Sequence, residues 1–91
     1  MTPLEAKMAE LEARFLSRLP EERAGFCASL ASDDREGIVE RAHKLAGIAG
    51  MLGAAELGDA ARELEEAALA GEEFAEVAER LLTLMDRPEQ I

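Results

Sequence analysis

Apolar residues along this chain recur at spacings of three, four and, once, seven, as they do on one face of an amphipathic helix. Five such stripes follow one another. Their members are Leu4, Met8, Leu11 and Phe15; Leu19, Phe26 and Leu30; Ile38, Ala42, Leu45, Ala49 and Leu52; Leu57, Ala61, Leu64 and Ala68; and Phe74, Val77, Leu81 and Leu84. No stretch alternates apolar and polar residues with a period of two, so we expect no strands.

Two of the stripes are preceded by residues that favour a helix start. Thr2, Pro3 and Glu5 combine an N-cap, a first-turn proline and the second half of a capping box. Asp33 followed by Glu36 repeats the capping-box pattern. We therefore expect helices to begin at about these two positions.

Other residues break or end the helices. Pro20 either begins a new helix or kinks a continuous one. Gly53 and Gly71 follow the third and fourth stripes as plausible ends, and Pro88 stops the last one. Short connections force neighbouring helices to be antiparallel. The pattern thus predicts an all-α fold, an antiparallel up-down four-helix bundle with an additional or kinked N-terminal helix, in one domain over residues 1–91.

Composition narrows the classes of partner. The formal net charge is −10, and the chain has neither Tyr nor Trp, which argues against a nucleic-acid partner because such proteins need a basic surface. No apolar run reaches the roughly 20 residues of a membrane span, and no signal-peptide pattern is present, so we expect no membrane partner and a cytoplasmic protein. The single cysteine, Cys27, fits a reducing compartment, and we favour a small core residue over a reactive thiol there.

The chain has one histidine, His43, within the third stripe. On a helical wheel its side chain lies about 140° from the centre of the apolar cluster, and it therefore points away from the core. The imidazole has an unperturbed pKa of about 6.5, which makes it suited to act as a nucleophile or proton carrier near neutral pH. We take His43 as the candidate functional residue.

The surface around His43 is predicted to be shallow. Val39, Ala46, Gly47, Gly50 and Met51 form a candidate docking surface for a partner protein. A glycine inside a helix costs about 1 kcal/mol relative to alanine, and a fold tolerates this where something must approach the backbone closely. Another helix packing there, or mere relief of crowding, would also explain the glycines. We favour a partner, because the apolar stripe lies on the other side of the helix.

Several chemistries lack the residues that they need. A zinc site requires more His or Cys ligands than His43 and Cys27 provide. The serines lie in no nucleophile motif, and no Gly-rich phosphate-binding loop is present. His43 is left as either a covalent nucleophile or a contact residue, and phosphoryl transfer from a partner protein suits the first role.

Two neighbours are candidate supporting residues. Lys44 adjoins the ring in sequence and could turn towards a phosphoryl group, although the wheel separates the two by about 100°. Glu40 lies one turn before His43 and could accept the proton of the second ring nitrogen, which would fix the tautomer. For each of these residues taken alone, we favour an ordinary solvated helix surface over a supporting role.

At these residues the chain resembles the histidine phosphotransfer (HPt) domains. The family core has the form Ala-His-x-Leu-Lys-Gly, then small residues, then Leu-Gly, then Ala-x-x-Leu. The matching positions are Ala42-His43, Leu45, Gly47, Ala49, Leu52-Gly53 and Ala54-Ala55-Glu56-Leu57, and the upstream segment Phe15-Leu16-Ser17-Arg18-Leu19-Pro20 is also similar. Two positions differ from the family. The family often has a lysine three residues after the histidine, where this chain has Ala46. Two positions later the family often has a small hydroxyl residue, where this chain has Ile48.

The resemblance implies a four-helix bundle that carries phosphate on His43 in a phosphorelay. It implies exchange with an aspartate of a response-regulator receiver domain, or with a hybrid histidine kinase. It also implies no kinase activity, no cofactor of its own and Mg²⁺ supplied by the receiver. We further expect a monomer. The alternative is a non-catalytic helical adaptor that docks a receiver or a kinase without transferring phosphate.

Overall fold

The computed structural model describes residues 1–87, which form four α-helices and, in that part of the chain, no strand. The helices are α1 (Pro3–Ala31), α2 (Arg35–Met51), α3 (Ala55–Leu69) and α4 (Ala75–Met85). Each helix packs against the next one along the chain, and α4 closes the ring against α1. The prediction of an all-α four-helix bundle is confirmed, whereas the stop predicted at Pro88 lies outside the described residues.

The first two apolar stripes belong to one helix of 29 residues. The predicted capping box is present, since the Glu5 N–H donates to Thr2 Oγ1 at 3.1 Å and the Thr2 N–H donates to Glu5 Oε1 at 3.4 Å. Pro20 lies inside this helix on its exposed side and starts no new helix. The additional N-terminal helix is therefore a continuous part of α1.

The three connections between helices share one geometry. Gly53, Gly71 and Asp33 each follow a helix with a positive φ, of 76°, 72° and 55° respectively. In each case the next N–H bonds back across the turn, as from Ala54 to the Ala49 carbonyl oxygen at 2.8 Å. This pattern satisfies carbonyl groups left free at a helix end and reverses the chain within a few residues. The ends predicted at Gly53 and Gly71 are confirmed.

The capping pattern predicted at Asp33 is wrong by one residue. The N-cap of α2 is Asp34, whose carboxylate accepts a hydrogen bond of 3.0 Å from the Gly37 N–H. Asp33 instead takes the positive φ that ends α1. Either aspartate can act as an N-cap, and the end of the preceding helix decides between them.

The core is built from the predicted stripes, with small residues where helices approach closely. Ile38, Leu57, Leu64 and Leu81 are fully buried. The molecule measures 45 × 21 × 20 Å, and at 1.5 Å per residue α1 alone spans about 43 Å. The start of α1 thus extends past the shorter helices, which explains why Leu4, in the first stripe, is 72% exposed.

Candidate functional site

His43 lies in the middle of α2 on the side away from the core. Ala42 and Leu45 beside it are buried, and α2 is held in place by the burial of that face. The His43 side chain is 74% exposed. The ring therefore projects into solvent from a helix whose position the core fixes, as the helical wheel predicts.

A carboxylate from the next helix orients the ring. His43 Nδ1 lies 2.8 Å from Oε2 of Glu65 on α3, and the Glu65 side chain is only 18% exposed. An ionised carboxylate can only accept hydrogen bonds, so we assign the proton of the neutral ring to Nδ1. The lone pair is then on Nε2, the ring nitrogen that Glu65 does not engage. This arrangement fixes one tautomer and provides an oriented nucleophile.

The surface next to the ring is open. A Cβ atom built on Gly47 or Gly50 would meet no heavy atom within 4 Å, apart from the helix itself. Neither glycine is therefore required by helix packing or by crowding within the described residues. Gly58 on α3 differs, because its Cβ would lie 3.5 Å from Ala49 Cβ and 3.8 Å from the Gly50 nitrogen. Gly58 allows α2 and α3 to pack closely beneath the site.

The sequence of this chain matches the model of a known protein family. The family model for the Hpt domain matches residues 10–90. The chain belongs to the Hpt domain family. No curated protein and no solved structure gives a significant match. Hpt domains are phosphotransfer carriers in phosphorelays, without autonomous kinase activity, and they interact with receiver domains and kinases of two-component systems.

Glu40 does not contact the histidine of this Hpt domain. Its carboxylate Oε1 instead accepts a hydrogen bond of 3.2 Å from Lys44 Nζ on the exposed surface of α2. The prediction that Glu40 holds the second ring nitrogen is wrong, since Glu65 occupies that place. Lys44 lies on the α1 side of α2, where it lines a groove, whereas His43 lies on the α3 side.

Two residues of the candidate docking surface are less accessible than predicted. Ala46 is only 7% exposed and belongs to the core, because α3 packs over it. Val39 is partly buried against the same core. The wheel places both residues between the core and the open face, and the side on which α3 packs decides their exposure. Gly47, Gly50 and Met51 are exposed.

A groove between α1 and α2 borders the site on the side opposite Glu65. Its lining is mostly apolar and basic, with one acidic residue, Glu22. The lining residues include Leu11, Phe15, Ile48 and Met51, with Arg14, Arg18 and Lys44 at its edges. Ile48 and Met51 are 40% and 56% exposed, so the groove is an apolar surface that continues from the glycines of α2.

Glu65 is the site residue that the sequence interpretation missed. A usable signal was present, because His43 and Glu65 lie at equal sequence distances on either side of Ala54, which closes the turn between α2 and α3. In an antiparallel helical hairpin, such positions fall at the same level. The missing information was which sides of the two helices face each other.

The described part of this Hpt domain contains no metal-binding cluster and no membrane-spanning helix. Within residues 1–87, no group of three or more His, Cys, Asp or Glu side chains converges to hold a metal ion. Cys27 is partly buried, with its Sγ 3.9 Å from an Arg23 nitrogen. No helix in this range combines the length and apolar character needed to cross a membrane.

Proposed function

We propose that this Hpt domain is a phosphorelay carrier in which His43 accepts a phosphoryl group from an aspartate of a receiver domain and passes it to another. The observation that carries the proposal is the 2.8 Å contact between His43 Nδ1 and Glu65 Oε2 beneath a ring that is 74% exposed. The contact leaves Nε2 as the attacking nitrogen. The family's role in phosphorelays supports the same assignment.

The transfer requires no proton to leave the ring. The lone pair of Nε2 attacks phosphorus, an N–P bond forms, and the P–O bond to the aspartate breaks. The electron pair of that bond leaves with the carboxylate oxygen. The ring becomes positively charged and keeps its Nδ1 proton, and the carboxylate of Glu65 stabilises that charge. Reverse transfer retraces these steps.

The open face of α2 lets the receiver approach. An in-line transfer needs the phosphorus close to the nitrogen, so the aspartate of the receiver must come near the helix surface. Gly47 and Gly50 provide that clearance, and the exposed side chain of Met51 extends the contact surface. The Mg²⁺ ion that neutralises the transferring group belongs to the receiver in this proposal.

Transfer from labelled receivers tests the proposal. The chain and its His43→Gln variant are incubated with a panel of receiver domains carrying radiolabelled aspartyl phosphate. We expect acid-labile, base-stable label on the wild-type chain and none on His43→Gln, because only an N–P bond has that stability pattern and only His43 has an imidazole. Circular dichroism of both proteins checks that the fold is unchanged.

The non-catalytic adaptor gives a different result. Receivers would then bind the wild type and the variant equally, and no label would reach either protein from any member of the panel. That outcome would reject His43 as a phosphate carrier while leaving receiver docking in place.

A further inference from the structure

A phosphoryl group on His43 creates an electrostatic problem in this chain. The group carries two negative charges, the chain has a formal net charge of −10, and the Glu65 carboxylate lies at the ring. The positive charge of the ring is paired with Glu65, so the phosphoryl oxygens keep uncompensated negative charge in an acidic molecule, which is costly. A phosphorylated His43 therefore needs a nearby cation once the receiver and its Mg²⁺ have left. Ala46, one turn along α2, offers no charge.

The basic residues around α2 are mostly engaged elsewhere. Lys44 Nζ pairs with Glu40 on the α1 side of the helix. Arg41 pairs with Glu22 of α1, with a nitrogen-to-oxygen distance of 3.8 Å. Arg35, at the start of α2, donates to the carbonyl oxygen of Ala68 near the end of α3. Lys44 and Arg41 thus lie towards α1, and Arg35 reaches α3 about two turns away from the level of His43.

Arg62 is the one basic residue of α3, and the packing of α2 against α3 puts it near the ring. Two contacts fix the register, since Glu65 meets His43 and the Cβ position of Gly58 lies 3.9 Å from the Ala46 carbonyl oxygen. Arg62 lies between Gly58 and Glu65 along α3, at about the level of Ala46.

Arg62 also lies on the required side of α3. On a helical wheel it is about 60° from Glu65 and about 40° from Gly58, the two residues that contact α2, and it lies towards the outer surface. The Arg62 side chain is 56% exposed. Gly47, one turn after His43, leaves open space beside the ring, so nothing from that residue blocks the path of the guanidinium towards Nε2.

Arg62 can leave its present partner easily. A guanidinium nitrogen of Arg62 lies 3.4 Å from Asp59 Oδ1, and the Asp59 side chain is 77% exposed. Exposed ion pairs of this kind contribute little to stability, so exchanging Asp59 for a dianionic phosphoryl group is favourable. An arginine fork also matches the geometry of phosphoryl oxygens.

From this register we infer that Arg62 turns from Asp59 to the phosphoryl group on His43 and neutralises part of its charge. The inference rests on the proposed function, because it concerns the phosphorylated form of the same histidine. It assigns to α3 both groups that serve the ring, Glu65 at Nδ1 and Arg62 at the phosphoryl oxygens on Nε2.

A small phosphodonor tests Arg62 without a receiver. Phosphoramidate phosphorylates the ring directly: the Nε2–P bond forms, the donor P–N bond breaks, and the electron pair leaves with ammonia. We expect Arg62→Gln to lower the initial rate of His43 phosphorylation about tenfold, and Arg62→Lys to retain most of the wild-type rate. Arg80→Gln removes the same charge from the exposed surface of α4, where Arg80 pairs with Glu63, and should leave the rate unchanged.

Asp59→Asn separates the inferred role from a structural one. If Arg62 acts at the phosphoryl group, loss of Asp59 frees its guanidinium and the rate stays equal or rises. If Arg62 matters only through its pair with Asp59, Asp59→Asn slows phosphorylation as much as Arg62→Gln, and the inference is overturned. A wild-type rate for Arg62→Gln overturns it as well.

The wild-type chain distinguishes this failure from failure of the proposed function. If the wild type is phosphorylated and Arg62→Gln is phosphorylated at the same rate, only the role of Arg62 is rejected. Wild type that accepts label neither from phosphoramidate nor from any receiver rejects His43 as the carrier, and with it both proposals.

Discussion

His43 and Glu65 act as a pair in which each residue compensates for what the other lacks. The ring is exposed and by itself has two nearly equivalent tautomers, whereas the Glu65 carboxylate is largely buried and needs a hydrogen-bond donor. The 2.8 Å contact satisfies the carboxylate and selects the ring tautomer in one step. In the proposed transfer, the same carboxylate faces the positive charge that forms on the ring.

We predict that Glu65→Gln slows phosphorylation of His43 by phosphoramidate about fivefold. An amide oxygen still accepts the Nδ1 proton but carries no charge, and the difference between charged and neutral hydrogen bonds is about 1 kcal/mol. Initial rates at fixed pH measure the effect. Glu40→Gln is the matched control and should have no effect, because Glu40 contacts Lys44 and not the ring. Equal rates for wild type and Glu65→Gln would contradict this role of Glu65.

At the scale of helices, α2 combines a small-residue surface with a buried apolar side. Ala42 and Ala49 are fully buried, and they let neighbouring helices approach α2 closely. Gly47 and Gly50 are exposed and have no neighbour at their Cβ positions. Within the described residues, no closer packing of helices offsets the low helix propensity of these two glycines. We therefore relate them to the approach of a receiver.

We predict that Gly50→Leu stabilises the free protein and weakens receiver docking. Leucine replaces a poor helix former where no atom obstructs it, so the free energy of unfolding should rise by up to about 1 kcal/mol. The added side chain holds a receiver away from the helix, and a loss of about 1.4 kcal/mol lowers affinity about tenfold. Urea unfolding and titration with a receiver measure the two effects.

Two controls accompany that substitution. Gly50→Ala gains most of the helix propensity with little added bulk and should keep most of the receiver affinity. Phosphoramidate should label Gly50→Leu at the wild-type rate, because the small donor needs no protein contact. Normal receiver affinity for Gly50→Leu would remove the argument for close approach at this face.

The sequence pattern predicts the helices better than it predicts the contacts between them. Ile38 and Leu64 are buried as the stripes require, because the apolar period is a property of each helix alone. The interhelix partner of His43 depends on which sides of α2 and α3 meet. The wheel of α2 contains no such information, so the prediction selected Glu40 in place of Glu65. The burial of Ala46 was missed for the same reason.

At the scale of the whole molecule, the site is formed by two of the four helices. In our proposals, α2 provides the nucleophile and the open surface, and α3 provides Glu65 and Arg62. The other two helices complete the core beneath them, with Phe26 of α1 and Leu81 of α4 almost fully buried. A packed bundle with an exposed ring suits the proposed carrier, which must present one atom to different partners.

The position of the phosphoryl group on the ring is the most direct test of this account. The chain has a single histidine, so a ¹⁵N-labelled sample gives one set of ring nitrogen signals. We predict that loading from a phosphorylated receiver produces phosphorus coupling at Nε2 of His43, while Nδ1 keeps its proton. Loss of phosphate from the receiver with an unchanged His43 ring, or coupling at Nδ1, would contradict the account.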